Sequence, residues 1–426
     1  MSHNVGVVVV NFNGGDLTLE CLRSIGATAW PADRLRVVLV DNASSDGIVA
    51  RVRVEFPAVE VIESPVNGGF GAGCNLGIRA LGDVEFVALV NNDATVTPEW
   101  LHPLTEALAA DPALGAACPK ILFADRFREV ELRTRAVVHG RGDARPLGVL
   151  VSGVEVGGRD VWRRAQLVDG FWGTEPGTGD ASAQWTADTA RVRVPVGDGT
   201  VRVRLASDRR AHVILQSGDE VVEHDVATEP AWYTLTLGGP AFDVVNNAGT
   251  LLTDDGFGVD RGYQEPDDGR YDTSIDVFAW CGGAVLLRSD YLDDVGLFDE
   301  DLFLYYEDLE LSWRGAKRGW RYRYVPESIV RHVHAASSVD GSALKRYYDE
   351  RNHLVVLARH ASAGRAVRAA ARSLLVTGSY ARRDVVAPAI SRRPVHVDVV
   401  KDRLTAFGGF VRLLPRAISD RRRARS

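Results

Sequence analysis

Val5-Gly6-Val7-Val8-Val9-Val10-Asn11-Phe12-Asn13-Gly14 is a β-branched run that ends abruptly in a polar turn. An apolar run without alternation is the pattern of a strand covered on both faces. Residues 37–40 repeat it and end in Asp41-Asn42-Ala43-Ser44-Ser45-Asp46-Gly47. Residues 59–62 feed Asn67-Gly68-Gly69-Phe70-Gly71, and residues 86–90 end in Asn91-Asn92-Asp93. Between these strands lie segments of helical period: 16–25, with Leu17, Cys21 and Ile25 four apart, then 75–81. A further helix is expected from Pro98, capped by Thr97, with Trp100, Leu104 and Leu108 along it. Strand–helix repetition predicts a doubly wound sheet whose ligands bind beyond the carboxyl ends of the strands, where these polar clusters fall.

Two nucleotide-binding classes are excluded. The glycines at 68, 69, 71 and 73 do not scan as GxGxxG and follow the third strand, not the first. No Gly-Lys-Ser/Thr occurs, so there is no P-loop. A nucleotidyltransferase would need a basic residue in its first loop, where residues 11–16 offer only Asn11-Phe12-Asn13-Gly14-Gly15-Asp16.

The second informative stretch is 280–334. It reads as a strand at 284–287, a helix at 289–295, an acidic loop Phe298-Asp299-Glu300-Asp301, and a helix expected over 304–317. Glu310 precedes Arg314 by one turn, and Glu307 and Asp308 occupy the helix start, where the dipole favours carboxylates. They either decorate a helix terminus or carry chemistry.

Together these motifs resemble family 2 glycosyltransferases of the GT-A type. The block from Gly282-Gly283-Ala284 through Val295-Gly296-Leu297-Phe298-Asp299-Glu300 and Tyr306-Glu307-Asp308 to Arg314, Pro326 and His332 resembles the rhamnosyl- and galactofuranosyl-transferase branch. The resemblance implies a donor pocket built from Asn11, Asn13, Asp41, Asn67, Gly68, Asn75, Asn92 and Asp93, and an acceptor side at Trp280, Gly282 and Gly283. It implies Asp93 as a ligand for Mg2+ or Mn2+ bridging the donor diphosphate, and Asp308 as catalytic base supported by Glu307. Asn91 stands where many relatives have Asp. With one carboxylate fewer, His332 is the further ligand or else a satisfied buried histidine, and His334 is its alternative. The implied reaction is inverting transfer of a sugar, foremost rhamnose from dTDP-rhamnose, to a glycan or polyprenyl-diphosphate-linked acceptor. UDP-galactofuranose or a UDP-hexose is the alternative donor, and a glycan-binding protein with a decayed transferase domain is the alternative class.

The remainder of the chain departs from that pattern. Residues 124–241 alternate with period two between turn signals, and Trp162, Phe171, Trp172, Trp185, Trp232 and Tyr233 are dense there. This predicts an inserted all-β module of sandwich or jelly-roll type, which either binds glycan or simply buries its aromatics. The expected division is 1–123 and 242–340 for the two parts of the α/β domain, 124–241 for the insertion, and 341–426 for C-terminal helices. The fold class is thus α/β, a GT-A-type doubly wound mixed sheet with a β insertion and a C-terminal helical segment.

Composition sets the surroundings. The 426 residues are 46% hydrophobic and 25% charged, ordinary for a globular protein. No leader or apolar span is legible, and four cysteines lack any CxxC spacing, so a reducing cytoplasm is expected. Residues 361–426 hold 15 Arg or Lys against 4 Asp, a net +11, so a chain of net −7 carries −18 in its first 360 residues. The arginines are not interleaved with aromatics as nucleic-acid binding would require. The expected partner of the tail is therefore anionic lipid, placing the protein peripherally on the inner face of the plasma membrane.

Overall fold

The computed structural model describes residues 3–138, 144–174, 183–197, 199–333, 342–392 and 394–423. It divides into two compact units: Met1–Ala124 with Asn246–Tyr263 and Gly269–Ser426, and Asp125–Val245 with Gln264–Asp268.

The larger unit is built on a ten-stranded mixed sheet. Its first strands are β1 (Val5–Asn11), β2 (Leu35–Asp41), β3 (Glu60–Glu63), β4 (Phe86–Asn91), β5 (Ala94–Val96) and β6 (Leu114–Phe123). After the insertion come β7 (Ile275–Val277), β8 (Ala284–Arg288) and β9 (Arg321–His332). Strand order is β7-β9-β6-β8-β4-β1-β2-β3, with β5 on β9 and Val245–Asn247 on β6. β1 runs parallel to both β2 and β4, and β8 runs antiparallel to β4. In register, Asn11 lies beside Asp41, and Val10 beside Asn91. Three polar loops therefore leave one edge of the sheet side by side.

Helices α1 (Gly15–Gly26), α2 (Ile48–Glu55), α3 (Phe70–Leu81) and α4 (Leu101–Ala110) cover the sheet. The glycines of α3 serve packing. A methyl group at Gly77 would lie 2.4 Å from Val8 Cγ1, and one at Gly73 would lie 2.6 Å from Val10 Cγ1. The helix axis thus approaches the sheet more closely than any side chain allows. α4 begins one turn later than the sequence indicates. Thr97 directs its hydroxyl to the Ile329 carbonyl instead of capping the helix, and Trp100 is the N-cap.

Downstream lie α5 (Ser289–Val295), α6 (Glu307–Ala316), α7 (Ala343–His360), α8 (Ala363–Tyr380), α9 (Ala387–Ile390) and α10 (Asp398–Arg423). The expected helix over 304–317 is three residues shorter at its start. Phe303, Tyr305 and Tyr306 adopt left-handed φ of 66°, 66° and 71°, which a right-handed helix cannot accommodate.

The smaller unit holds nine antiparallel strands joined in one hydrogen-bonded network. Its terminal strands, Glu220–Val226 and Ala231–Thr236, meet through the His224 and Tyr233 rings, 5.1 Å apart, so the sheet curls upon itself. Alternating valines and leucines such as Val201, Val203, Leu205, Val213 and Leu215 fill its interior. Tyr233, Phe171 and Trp162 pack against them, whereas Trp172 and Trp232 remain partly exposed.

Candidate active site

The site begins at the end of β1. Asn11 is fully buried and organises three loops with one amide. Its Nδ2 donates to Asp41 Oδ1 (2.8 Å) and Ser44 Oγ (2.9 Å). Its Oδ1 accepts from Thr18 Oγ1 (2.7 Å), Asn92 Nδ2 (2.9 Å) and the Gly14 amide (3.2 Å). Asp41, also buried, accepts the Ser44 amide on Oδ2 (3.0 Å). Asn13 is exposed in the left-handed region and accepts the Ser45 amide. Asn11, Asn13, Asp41 and Asn92 thus form one cluster, and the 41–47 loop is its wall.

Asn75 is buried, with Nδ2 donating to the Phe298 carbonyl (3.0 Å) and Glu300 Oε1 (2.9 Å) and Oδ1 accepting the Phe298 amide (3.0 Å). Its amide fixes the acidic loop to α3. Asn67 accepts the Gly69 amide (2.9 Å) at the start of α3, and Gly68 lies in the same turn.

Asp93 and His332 meet at the end of β4. Asp93 Oδ1 lies 3.0 Å from His332 Nε2, and Nδ1 of that ring lies 3.1 Å from Asn246 Oδ1. With Asn246 Oδ1 accepting from Nδ1–H, Nε2 either donates to Asp93 or, unprotonated, shares a cation with it. Two electron-rich ligands facing one point suit a shared cation, and Asn246 supplies the orienting contact that metal-bound histidines use. Among the described residues no set of three His, Cys, Asp or Glu is close enough to hold a metal alone. Asp93 and His332 would therefore hold a divalent ion together with groups of the substrate. His334 lies outside the described residues.

The carboxylate pair arrives from the other side. Asp308 Oδ2 accepts the Gly282 amide (2.9 Å), and Oδ1 accepts the Leu309 amide (2.7 Å). The next residue returns the link, since the Gly283 carbonyl accepts the Asn91 amide (3.0 Å). Gly282 and Gly283 thus join the two halves of the site through their backbone. A side chain at Gly282 would fill the space, its Cβ 3.2 Å from Phe70 and 3.5 Å from Asp308. Trp280 is fully buried, edge-on to Phe298 at 5.8 Å. It belongs to the core beneath the acidic loop and cannot touch an acceptor, which corrects that expectation.

Burial, chiefly, holds the carboxyls of Glu307 and Asp308 above the ordinary carboxylate range, and the neighbouring Asp308 charge adds to the effect on Glu307. The amides on Asp308 oppose the rise. Asp260 joins the cluster. Burial raises its carboxyl, Asn247 Nδ2 donates to it (2.6 Å), and it feels the charges of Asp308 and His332. Asp260 and Asn246 were missed by sequence reasoning. Their signal was the segment Asn246-Asn247-Ala248-Gly249, where the strand pattern of the insertion ends.

The loop before α6 is held from α7. Asn352, 0% exposed, donates from Nδ2 to the carbonyls of Leu302 (2.9 Å), Leu304 (2.9 Å) and Tyr305 (2.8 Å). Arg351 donates to the carbonyls of Asp301 and Leu302 while lying over the Tyr348 ring at 4.7 Å. From the opposite side the Phe70 amide donates to the Phe303 carbonyl (2.9 Å). A methyl group at Gly69 would lie 2.1 Å from that carbonyl oxygen.

Below the loop lies a buried ion network. Glu310 accepts Arg314 (2.8 Å) and His360 (2.9 Å), and Arg359 pairs with Asp299. Burial alone would raise the Glu310 carboxyl, but Arg314, His360 and Arg359 outweigh it and hold it at about 2.

Comparison with known proteins agrees with this architecture. Residues 6–152 match the family described as Glycosyl transferase family 2. A poly(ribitol-phosphate) beta-glucosyltransferase of Bacillus spizizenii is 27% identical over 152 residues, covering 32% of this chain and 24% of the relative. The chain therefore spans about a quarter of that relative's length. GalNAc-T7 with UDP, GalNAc and Mn2+ superposes with TM-score 0.45 at 13% identity, covering 84% of this chain and 49% of that one. A mannosyltransferase from Pyrobaculum calidifontis in complex with GDP-Man and Mn2+ gives TM-score 0.41 at 15% identity, covering 100% and 74%. At these scores the superpositions add nothing to the topology already described. Over residues 6–152, which hold the first strands of the sheet and the polar loops at their carboxyl ends, this chain is similar to glycosyl transferase family 2.

Proposed function

We propose that the protein is an inverting glycosyltransferase that moves a sugar from a nucleoside diphosphate to a hydroxyl of a surface glycan, free or carried on a polyprenyl diphosphate. The observation that carries this reading is the junction at Gly282 and Gly283. It ties an oriented carboxylate, Asp308, through the Gly282 amide and the Gly283 carbonyl to the strand end that carries Asp93 and its partner His332. The cluster of Asn11, Asp41 and Asn92 supplies the donor wall, with Asp41 the acceptor for a base N–H. Asp93 and His332 would hold a divalent ion, Mg2+ or Mn2+, which when bound would supply charge neutralisation for the leaving diphosphate. Asp308 takes the proton from the acceptor hydroxyl as its oxygen bonds to the anomeric carbon and the bond to the diphosphate breaks. Two backbone amides fix its rotamer, and burial makes it a stronger base than a surface carboxylate. The reaction inverts the anomeric centre, and no covalent intermediate is needed.

Rhamnose from dTDP-rhamnose is the first donor to test, with UDP-galactofuranose and UDP-hexoses beside it. The name of the Bacillus spizizenii relative supports a polymer acceptor. The test is release of nucleoside diphosphate across a panel of dTDP- and UDP-sugars. Asp308→Asn should lower turnover by roughly 10²–10⁴-fold with one of them. Turnover equal to wild type would remove Asp308 from the reaction, and failure of every donor to bind the folded protein would remove the transferase reading.

A further inference from the structure

Helix α8 is built inside out. α8 turns alanines inward, where Ala366, Ala369 and Ala370 pack against the cluster of Leu354, Val355 and Leu357. Its larger apolar side chains face outward: Val367, Leu374 and Leu375 share one exposed side, with Ala371 and Gly378 between them. Leu375 is 75% exposed, and Ile390 at the end of α9 is 79% exposed. α10 packs Phe407, Phe410, Leu413 and Leu414 inward and still leaves apolar side chains outside. Ala406, Phe410 and Ala417 are buried, while Leu404, Val411 and Ile418 recur every seven residues on the exposed side. Between the turn that precedes α9 and the start of α10 lies a shallow groove of about 490 Å³, lined by Val385 and Val386 on one side and Val397, Val400, Lys401 and Leu404 on the other. Scattered exposed leucines are ordinary in any globular protein, but an apolar groove bordered by the exposed Val386, Val397 and Leu404, with Ile390 exposed nearby in sequence, marks a docking surface.

Charge identifies the occupant. The arginines of the tail include two sets. Arg403 pairs with Glu350, Arg416 with Asp299 and Asp301, and Arg421 donates to the carbonyls of Ala358 and Ala361. These are fastened within the unit, so the terminal arginine run expected to lie on a membrane is in part a structural device. Arg368, Arg382, Arg392 and Arg412 are exposed and make no ion pair among the described residues. They flank the apolar face, and Lys401 lies in its groove. An outward apolar stripe edged by unpaired arginines is the pattern of a helix lying in the head-group plane of an anionic bilayer. No described helix is long and apolar enough to cross a membrane.

We propose that α8, α9 and the exposed side of α10 form a docking surface for an anionic lipid bilayer, with Val367, Leu375, Val386 and Ile390 entering the head-group region and Arg368, Arg382 and Arg392 meeting lipid phosphates. This inference stands independently of the transferase reading. The test is co-sedimentation of the full chain with sucrose-loaded vesicles of phosphatidylcholine alone or mixed with phosphatidylglycerol. Wild type should bind the mixed vesicles and leave the neutral ones. Leu375→Glu with Ile390→Glu should abolish binding with an unchanged melting temperature, because both side chains are already exposed. Each of Arg368→Gln, Arg382→Gln and Arg392→Gln should weaken binding roughly fivefold at low salt. No binding by wild type, or equal binding by all variants, would overturn the proposal. So would a wild-type dimer in sedimentation that the Leu375→Glu, Ile390→Glu pair renders monomeric, since the face would then serve a second copy of the chain.

Discussion

Replacing Asn352 by alanine should loosen the loop that aims Asp308 without unfolding the domain. The amide donates to three buried carbonyls at 2.8–2.9 Å. Losing two N–H donors costs about 1 kcal/mol each, and a stranded buried carbonyl about 1–3 kcal/mol, roughly 4 kcal/mol together. Against this stands the strain of Phe303, Tyr305 and Tyr306, non-glycine residues at positive φ. Each costs of order 1–3 kcal/mol and persists only while the surroundings enforce it. The two quantities are comparable, so the loop should let go locally while the sheet stays folded. Hydrogen exchange reads this directly. The Phe70 amide, bonded to the Phe303 carbonyl, and the Glu310 amide, bonded to the Tyr306 carbonyl, should exchange at least a hundredfold faster. Turnover should fall about 10²-fold, since a displacement near 1 Å at a catalytic group has that effect. Asn352→Asp, of equal size but without donors, should behave the same way. Val355→Ala, a buried truncation on the same helix, should lower the melting temperature and leave loop exchange unchanged. Wild-type exchange at Phe70 and Glu310 in Asn352→Ala would refute the reasoning, because the strained loop would then hold itself.

Two further outcomes follow from the same geometry. Asn246→Ala should weaken Mn2+ binding roughly 10–100-fold, read by the metal concentration that half-saturates a thermal shift, because Asn246 fixes the ring of His332. An unchanged midpoint would mean that His332 is not a ligand. Glu310 has its folded carboxyl at about 2 against an ordinary 4.5, so the folded state binds this proton less tightly than the unfolded chain does. Its contribution is complete above the unfolded value and is lost as pH falls through about 2, amounting to on the order of 3 kcal/mol. Glu310→Gln should therefore destabilise the protein at pH 7 and flatten the loss of stability on acidification between pH 5 and 2, followed by urea unfolding. An acid profile parallel to wild type would show that Glu310 is not held by Arg314 and His360.

The sheet was legible because it is written in local chemistry. A run such as Val7–Val10 has no polar face to show, and each strand stops where an Asn or Asp begins, so the strand ends and the site loops were read together. The helix start before Glu307 was misplaced for the opposite reason. Nothing within residues 303–306 demands positive φ, and no glycine or asparagine signals it. The conformation is imposed by Asn352 and Arg351, some 50 residues away, and by Phe70, more than 230 away. The packing of Asn75 and Trp280 was hidden for the same reason. Each lies in a motif beside the cleft, but the choice between facing substrate and facing a neighbour depends on Phe298, which sequence spacing cannot place.

This division has a consequence for how the site is tuned. Asn11, Asp41 and Asn92 are held at their own strand ends, where β1, β2 and β4 leave the sheet, and they form one hydrogen-bonded cluster, the proposed donor wall. Asp308 is held by a long-range clamp whose parts come from α3, α7 and the Gly282 amide. Changes in the C-terminal helices therefore reach Asp308 through Asn352 and Arg351 and leave the donor wall untouched. The buried pairs of Arg359 and Arg416 with Asp299 run along the same path from α7 and α10 to the acidic loop. If α8 and α9 engage a bilayer, the α7 scaffold that they share with this clamp is what links lipid contact to the catalytic carboxylate. Such a link should alter turnover of a bound donor and leave donor affinity unchanged.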